Sequence, residues 1–181
     1  MFKVTLKVPC HTAFHSSKYI SNGHTVHAAI GTAFVNAILA AIRSLEPGGC
    51  VALAMATTGI AANLLKLGRT FHSRMKAPLD PDESSTLKIS AQSPLAELIR
   101  MSKLFLIDEA TMLDKYNLEA MDRTLRDLLQ TPDIPFGGKI VILAGDFRQC
   151  LPVVPGQNKA GIIKHSIIKS YLWGFFKVLE L

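Results

Sequence analysis

Apolar residues gather along the chain in three short continuous runs, Cys50 to Ala56 (CVALAMA), Leu104 to Ile107 (LFLI) and Lys139 to Ala144 (KIVILA), each closed by a polar or glycine-bearing turn. Unbroken apolarity over so few residues predicts strands covered on both faces, as in a parallel sheet. Between the runs the period becomes helical. Ala33 to Ser44 is rich in Ala and Ile and stops ahead of Pro47-Gly48-Gly49, a helix terminator. In Lys115 to Gln130, Leu118, Met121, Leu125 and Leu128 recur at helical spacing, and Asp114 stands where an N-cap belongs. A further helix is expected from about Lys159, and Val178 to Leu181 reads as a last strand. The first ten residues alternate apolar and polar positions, which predicts a short strand. Ala77 to Ser93 is polar and turn-rich and reads as a surface insertion. Strand and helix alternate, so the expected fold is a three-layer α/β domain around a parallel sheet.

Composition narrows the class. The 181 residues are 49% hydrophobic and 19% charged, enough for one globular core and too apolar for a disordered tail. The longest apolar stretch, Ala28 to Ile42, is broken by Thr32 and Asn36 and falls short of the ~20 residues of a membrane span, so no membrane partner is expected. No apolar h-region follows Met1, which argues against a secretory signal. Cys10, Cys50 and Cys150 are too few and too scattered for a disulfide framework and point to a reducing compartment. A net charge of +6 hints at an anionic partner such as nucleic acid. That charge is uneven: residues 1–45 hold four basic residues, no acidic one and four of the six histidines. Residues 1–30 are therefore set apart as an atypical segment ahead of a main domain over 31–181. Cys10, His11, His15, His24 and His27 are metal-ligand types, but their spacing matches no zinc pattern, and loop histidines are expected instead.

Three segments carry chemistry. The run Leu104 to Ile107 delivers adjacent carboxylates, Asp108 and Glu109, to the C-terminal end of a buried strand, the edge where open α/β sheets bind ligands. One carboxylate can hold a hard cation such as Mg²⁺ while its neighbour orients or deprotonates water; alone, the pair is equally a solvated strand end. The second segment, Ile140 to Val153, breaks at Gly145 and presents Asp146 and Gln149 at the same edge, where a glutamine can sense a terminal phosphate. In the third, Ala56-Thr-Thr-Gly-Ile-Ala-Ala-Asn-Leu-Leu65 passes through a Thr57-Thr58-Gly59 turn into a helix, offering hydroxyls and N–H groups to backbone phosphates. Gly68-Arg-Thr-Phe-His-Ser73 adds Thr70 and the His72 ring, a donor and a stacking face. Taken singly, these last stretches are compatible with ordinary turns.

Together and in this order, the segments resemble one family. Asn36 to Ser44, Ala56 to Leu65, Gly68 to Ser73, Leu106-Ile-Asp-Glu-Ala-Thr-Met112, Met121 to Arg126, Pro135-Phe-Gly-Gly-Lys139, Gly145-Asp-Phe-Arg-Gln-Cys-Leu-Pro-Val153 and Leu172 to Leu181 resemble the first motor domain of superfamily 1 DNA helicases of the petite-integration-frequency type, especially the helicase part of Helitron-like transposons. The resemblance covers roughly four fifths of the chain. It implies a RecA-like P-loop NTPase domain, ATP and Mg²⁺ as cofactors, single-stranded DNA and duplex junctions as partners, and 5′-to-3′ unwinding in repair, recombination and telomere maintenance. By the same resemblance Asp108 would bind Mg²⁺, Glu109 would activate water and Gln149 would read the γ-phosphate, with Asp146 nearby. Thr57, Thr58, Gly59 and His72 would lie near the single strand. The nucleus is the expected location. The acid-poor, Ser-containing residues 1–45 make the mitochondrion the alternative, although no arginine precedes Arg43.

The chain departs from that family at two places. A phosphate loop, Gly-x-x-x-x-Gly-Lys-Ser/Thr, should precede the first helix. Register from Phe34 puts Val26 at the first glycine, Gly31 at the second, Thr32 at the lysine and Ala33 at the Mg²⁺-holding hydroxyl, leaving Gly31 and Thr32 as the candidates for phosphate contact. A lysine about 4 Å from phosphate is worth up to ~4 kcal/mol at an effective dielectric near 20, so its loss predicts a hundred- to thousandfold deficit, on the order of the tenfold-per-1.4 kcal/mol rule. The second motor domain is also expected to be missing, since Leu181 falls about where it would begin. The expectation is a helicase fragment with a degraded phosphate loop and weak or absent ATPase activity; the alternative is an inactive, nucleic-acid-binding remnant of a transposon helicase.

Overall fold

The three apolar runs form the centre of one sheet. In this computed structural model, residues 3–7, 27–44, 50–146, 152–154, 156 and 158–180 are described. The strands are β1 (Lys3–Lys7), β2 (Ala52–Ala56), β3 (Arg69–Thr70), β4 (Leu104–Asp108), β5 (Ile140–Gly145) and β6 (Lys177–Glu180), in the order β3-β2-β4-β5-β1-β6. The segment β3-β2-β4-β5 is parallel, pairing Ala52 with Leu104, Ala56 with Asp108, and Leu104 with Ile140.

Successive side chains of a strand point to opposite faces, and here both faces are covered. Leu53, Met55, Phe105, Ile107, Val141 and Leu143 join a core with Leu118, Met121 and Leu125 of helix α5 (Lys115–Leu128). Ala52, Ala54, Ala56, Leu104, Leu106, Ile142 and Ala144 meet Val35 and Leu39 of helix α1 (His27–Arg43) on the other. This double coverage is the physical reason the runs are continuous rather than alternating, and it gives the expected three layers. Asp114 caps α5 as expected, its Oδ1 accepting the Tyr116 N–H at 2.8 Å.

Four features differ from the sequence reading. Helix α1 begins at His27, so the boundary between 30 and 31 falls inside it. Strand β1 forms, but antiparallel to both neighbours: Lys3 pairs with Gly145 and Glu180, and Lys7 with Val141. The Ala77–Ser93 insertion holds no helix or strand, yet Leu87 within it is buried and its N–H bonds Thr124 Oγ1 at 3.0 Å. An unexpected helix, α4 (Pro94–Met101), follows, capped by Ser93 with proline in its first turn, a start signal that was legible. Short helices α2 (Gly59–Leu64), α3 (Phe71–Met75) and α6 (Lys159–His165) complete the chain with four 3-10 turns among the described residues. No helix among the described residues is long and apolar enough to cross a membrane.

Candidate functional site

The parallel strands end together, and their C-terminal edge collects the candidate residues. Register pairs Ala56 with both Asp108 and Thr70, so the turns after β2, β3 and β4 emerge side by side. Asp108 closes β4 with 5% of its surface exposed. Its Oδ1 accepts the Glu109 N–H at 2.9 Å, and its carbonyl accepts the Thr57 N–H at 3.2 Å. Burial pushes the Asp108 carboxyl above the usual range; the neighbouring Glu109 carboxylate adds to this, and the Glu109 N–H opposes it. A cation beside Asp108 would offset both burial and repulsion.

Glu109 turns the chain out of the strand with φ 51° and ψ 34°, a left-handed conformation uncommon for a residue with a side chain. Such a backbone persists where the surroundings over-determine it, and here two threonines do so. Thr57 Oγ1 donates to the Glu109 carbonyl at 2.9 Å, and Thr58 Oγ1 donates to Glu109 Oε2 at 2.5 Å. Thr58 Oγ1 also accepts the Ala61 N–H at 3.3 Å, capping α2. The hydroxyls expected near the single strand thus engage the residue expected to activate water, Thr57 at its carbonyl and Thr58 at its carboxylate. Parallel neighbours ending in register bring together residues 51 apart in sequence, a link that spacing along the chain could not reveal.

Across the edge, β5 ends at Gly145, where a Cβ would lie 3.3 Å from Thr111 Cγ2 and 3.4 Å from the Ala110 nitrogen, so the turn after Glu109 leaves room for little else. Asp146 follows, half-buried. Gln149 lies outside the described residues. Gly59 is exposed, and a Cβ there would meet nothing within 4 Å. His72, in α3, is half-buried with Nε2 3.3 Å from Asn117 Nδ2 and its ring edge-on to Phe71. Burial lowers the His72 pKa, so the ring is neutral at pH 7 and offers hydrogen bonding and stacking rather than charge.

The phosphate side is built differently. Gly31 and Thr32 lie past the first turn of α1, where backbone N–H groups belong to the helix's own ladder. Both are candidates for phosphate contact, and both stand in helical backbone. A phosphate loop also needs a strand that ends at the C-terminal edge and feeds the helix. Strand β1 starts at that edge, with Lys3 opposite Gly145, and residues 8–26 between it and α1 lie outside the described residues. Among described residues no group of three or more His, Cys, Asp or Glu could hold a metal, so a cation at Asp108 would rely on water and bound phosphate for its other ligands, as Mg²⁺ commonly does. Among the described residues, Asp108 and Glu109 fit the cation half of a Mg-nucleotide, and none of them forms a phosphate loop. Cys10, His11, His15 and His24 lie outside the described residues, and His27 begins α1.

This arrangement has clear relatives. Residues 16–181 match the family described as PIF1-like helicase. The chain is 34% identical over 134 residues to the ATP-dependent DNA helicase PIF1 of Trypanosoma brucei brucei, covering 70% of this chain and 13% of that one. It is 32% identical over 120 residues to the ATP-dependent DNA helicase RRM3 of Saccharomyces cerevisiae, covering 65% and 16%. Among solved structures it superposes on the Pif1 helicase from Bacteroides in complex with ADP-AlF3 and ssDNA with a TM-score of 0.65 at 28% identity, covering 79% of this chain and 33% of that one. This chain thus spans a third or less of each of these proteins. The sheet with its flanking layers is the RecA-like fold of those helicases. With a family match over more than nine tenths of its length, the chain belongs to the PIF1-like helicase family.

Proposed function

We propose that this chain is a first motor lobe of the DNA helicase type that binds single-stranded DNA across the C-terminal edge of its sheet, with weak or absent nucleotide turnover of its own. The observation that carries the reading is the junction of the Thr57-Thr58 turn with Glu109, which puts the DNA-facing turn and the acid pair in one hydrogen-bonded unit. Thr57, Thr58, Gly59 and the neutral His72 ring would meet the strand, through hydroxyls to phosphate and ring to base. Asp108 would hold Mg²⁺, and Glu109 would orient water. The relatives named as ATP-dependent DNA helicases support DNA as the substrate class. Within a complete helicase of this family the lobe would serve 5′-to-3′ unwinding at duplex junctions in repair, recombination and telomere maintenance, in the nucleus or, alternatively, the mitochondrion. The second reading, an inactive nucleic-acid-binding remnant of a transposon helicase, is compatible with helical backbone at Gly31 and Thr32.

Two assays on the purified chain test this. Fluorescence anisotropy with labelled oligo-dT at low salt should show binding that ignores ATP and weakens steeply with salt. Phosphate release from Mg-ATP with single-stranded DNA should stay at background. Steady release that Glu109→Gln abolishes would reverse the conclusion on turnover, and no DNA binding at low salt would remove the reading altogether.

A further inference from the structure

We propose that Thr58 is a positioning residue that couples strand binding to the Glu109 carboxylate, because its hydroxyl can serve Glu109 or a DNA phosphate but not both. The inference rests on the reading of Thr57–Gly59 as the DNA-contact turn. A threonine hydroxyl carries one hydrogen. Here that hydrogen goes to Glu109 Oε2 at 2.5 Å, while the oxygen accepts the Ala61 N–H at 3.3 Å. Phosphate oxygens only accept, so a phosphate at this hydroxyl needs the hydrogen Glu109 now holds. The carboxylate would also stand beside the phosphate, and two anions at that separation repel.

Glu109 can yield its side chain without moving its backbone. Thr57 Oγ1 holds the Glu109 carbonyl, Thr57 N–H holds the Asp108 carbonyl, and Glu109 N–H is fixed on Asp108 Oδ1. The two threonines therefore divide the work: Thr57 fixes the turn, and Thr58 fixes the carboxylate. Binding linkage is reciprocal. A strand that takes the Thr58 hydroxyl frees the Glu109 carboxylate beside Asp108, and Glu109 in turn restrains strand binding when no DNA is present.

The experiment is a double-mutant cycle on oligo-dT affinity, read by anisotropy on the full chain at low salt without nucleotide. Glu109→Ala removes both acceptor and charge and is expected to tighten binding by about fivefold or more, the lower range of allosteric coupling. Glu109→Gln removes the charge but keeps an acceptor for Thr58, so its gain is smaller. Thr58→Val weakens binding, and in that background the gain from Glu109→Ala shrinks by at least half; Thr58→Ser, which keeps the hydroxyl, restores the full gain. Equal gains from Glu109→Ala with and without the Thr58 hydroxyl reduce the effect to charge alone and overturn the proposal, as does no gain at all. Should Thr58→Val not fold, equal gains from Glu109→Ala and Glu109→Gln overturn it. Wild-type binding with no such differences refutes this coupling only, whereas no binding by any variant refutes the DNA reading beneath it.

Discussion

Burial holds the Asp108 carboxyl above its ordinary range, so its charged form is less favourable in the fold than in the open chain. The native state then retains its proton to higher pH than the unfolded state does. By linkage, stability falls as pH rises from the unfolded value near 3.8 through the raised native value, and the penalty persists at pH 7. Asp108→Asn keeps the acceptor for the Glu109 N–H and removes the charge. It should leave the melting temperature at pH 7 unchanged or raise it, by up to about 1 kcal/mol of stability. A calorimetric scan that instead shows the variant clearly less stable would make Asp108 a structural residue. His72 behaves oppositely: its lowered pKa means the fold favours the neutral ring, so its contribution is present above about 6.5 and is lost as pH falls below that value. The acid pair was legible because adjacent residues at the end of an apolar run carry the signal within the sequence itself. The left-handed backbone of Glu109 and its threonine partners were not, since they depend on a strand pairing 51 residues distant.

Helix α5 carries a polar seam that periodicity could not predict. Its apolar stripe faces the core, but Asp122, fully buried, accepts the Phe136 N–H and the Tyr171 hydroxyl at 2.9 Å, and it lies 2.8 Å from Arg126 Nε. The Arg126 N–H is not aimed at that oxygen, so this last contact is one of charge rather than a directed hydrogen bond. Glu119 accepts from Ser170 Oγ at 2.7 Å, and Asp114 contacts His165 Nδ1 at 2.6 Å. Three acidic side chains of the α5 region thus anchor the segment from His165 to Tyr171 that leads to β6. Asp122→Ala strands the buried Phe136 N–H and takes the carboxylate away from Arg126, whose Nη1 still donates to the Pro132 carbonyl at 2.8 Å. The expected loss is about 2–4 kcal/mol, a drop of about 10 °C in a chain of this size by thermal melting. Tyr171→Phe removes one bond and should lose about 1 kcal/mol. Burial, then the Asp122 carboxylate, push the Tyr171 hydroxyl up to about 12, so the fold keeps that proton after the unfolded chain has lost it. Wild-type stability should therefore decline between pH 10 and 12 more steeply than that of Tyr171→Phe, as chemical denaturation at each pH would reveal. Strands and helices were legible where both faces or one stripe are apolar. This seam was not, because Asp122 and Glu119 look like solvated helix charges, and Asp114 like a cap alone, until residues 165–171 pack against them.

For the whole molecule the decisive feature is the direction of β1. An antiparallel strand satisfies the backbone of β5 and β6 as well as a parallel one would, so the RecA-like layers assemble with β1 running against β5. A nucleotide bound with a Kd of 10 μM would, at 1 mM, stabilise the protein by about 2.7 kcal/mol, raising its melting temperature by roughly 5–10 °C. The expected shift with Mg-ATP is under about 1 °C. The stricter prediction concerns repair of the missing lysine. Thr32→Lys restores the charge at the family's position, worth up to about 4 kcal/mol beside a phosphate. Its backbone would still sit inside α1, where the N–H groups belong to the helix's own ladder, so no N–H cradle would form at this position. Thr32→Lys should therefore give no more than a slight gain in thermal shift with Mg-ATP. A shift of several degrees from this one substitution would mean that charge alone, rather than the path of the chain, had been withholding the nucleotide.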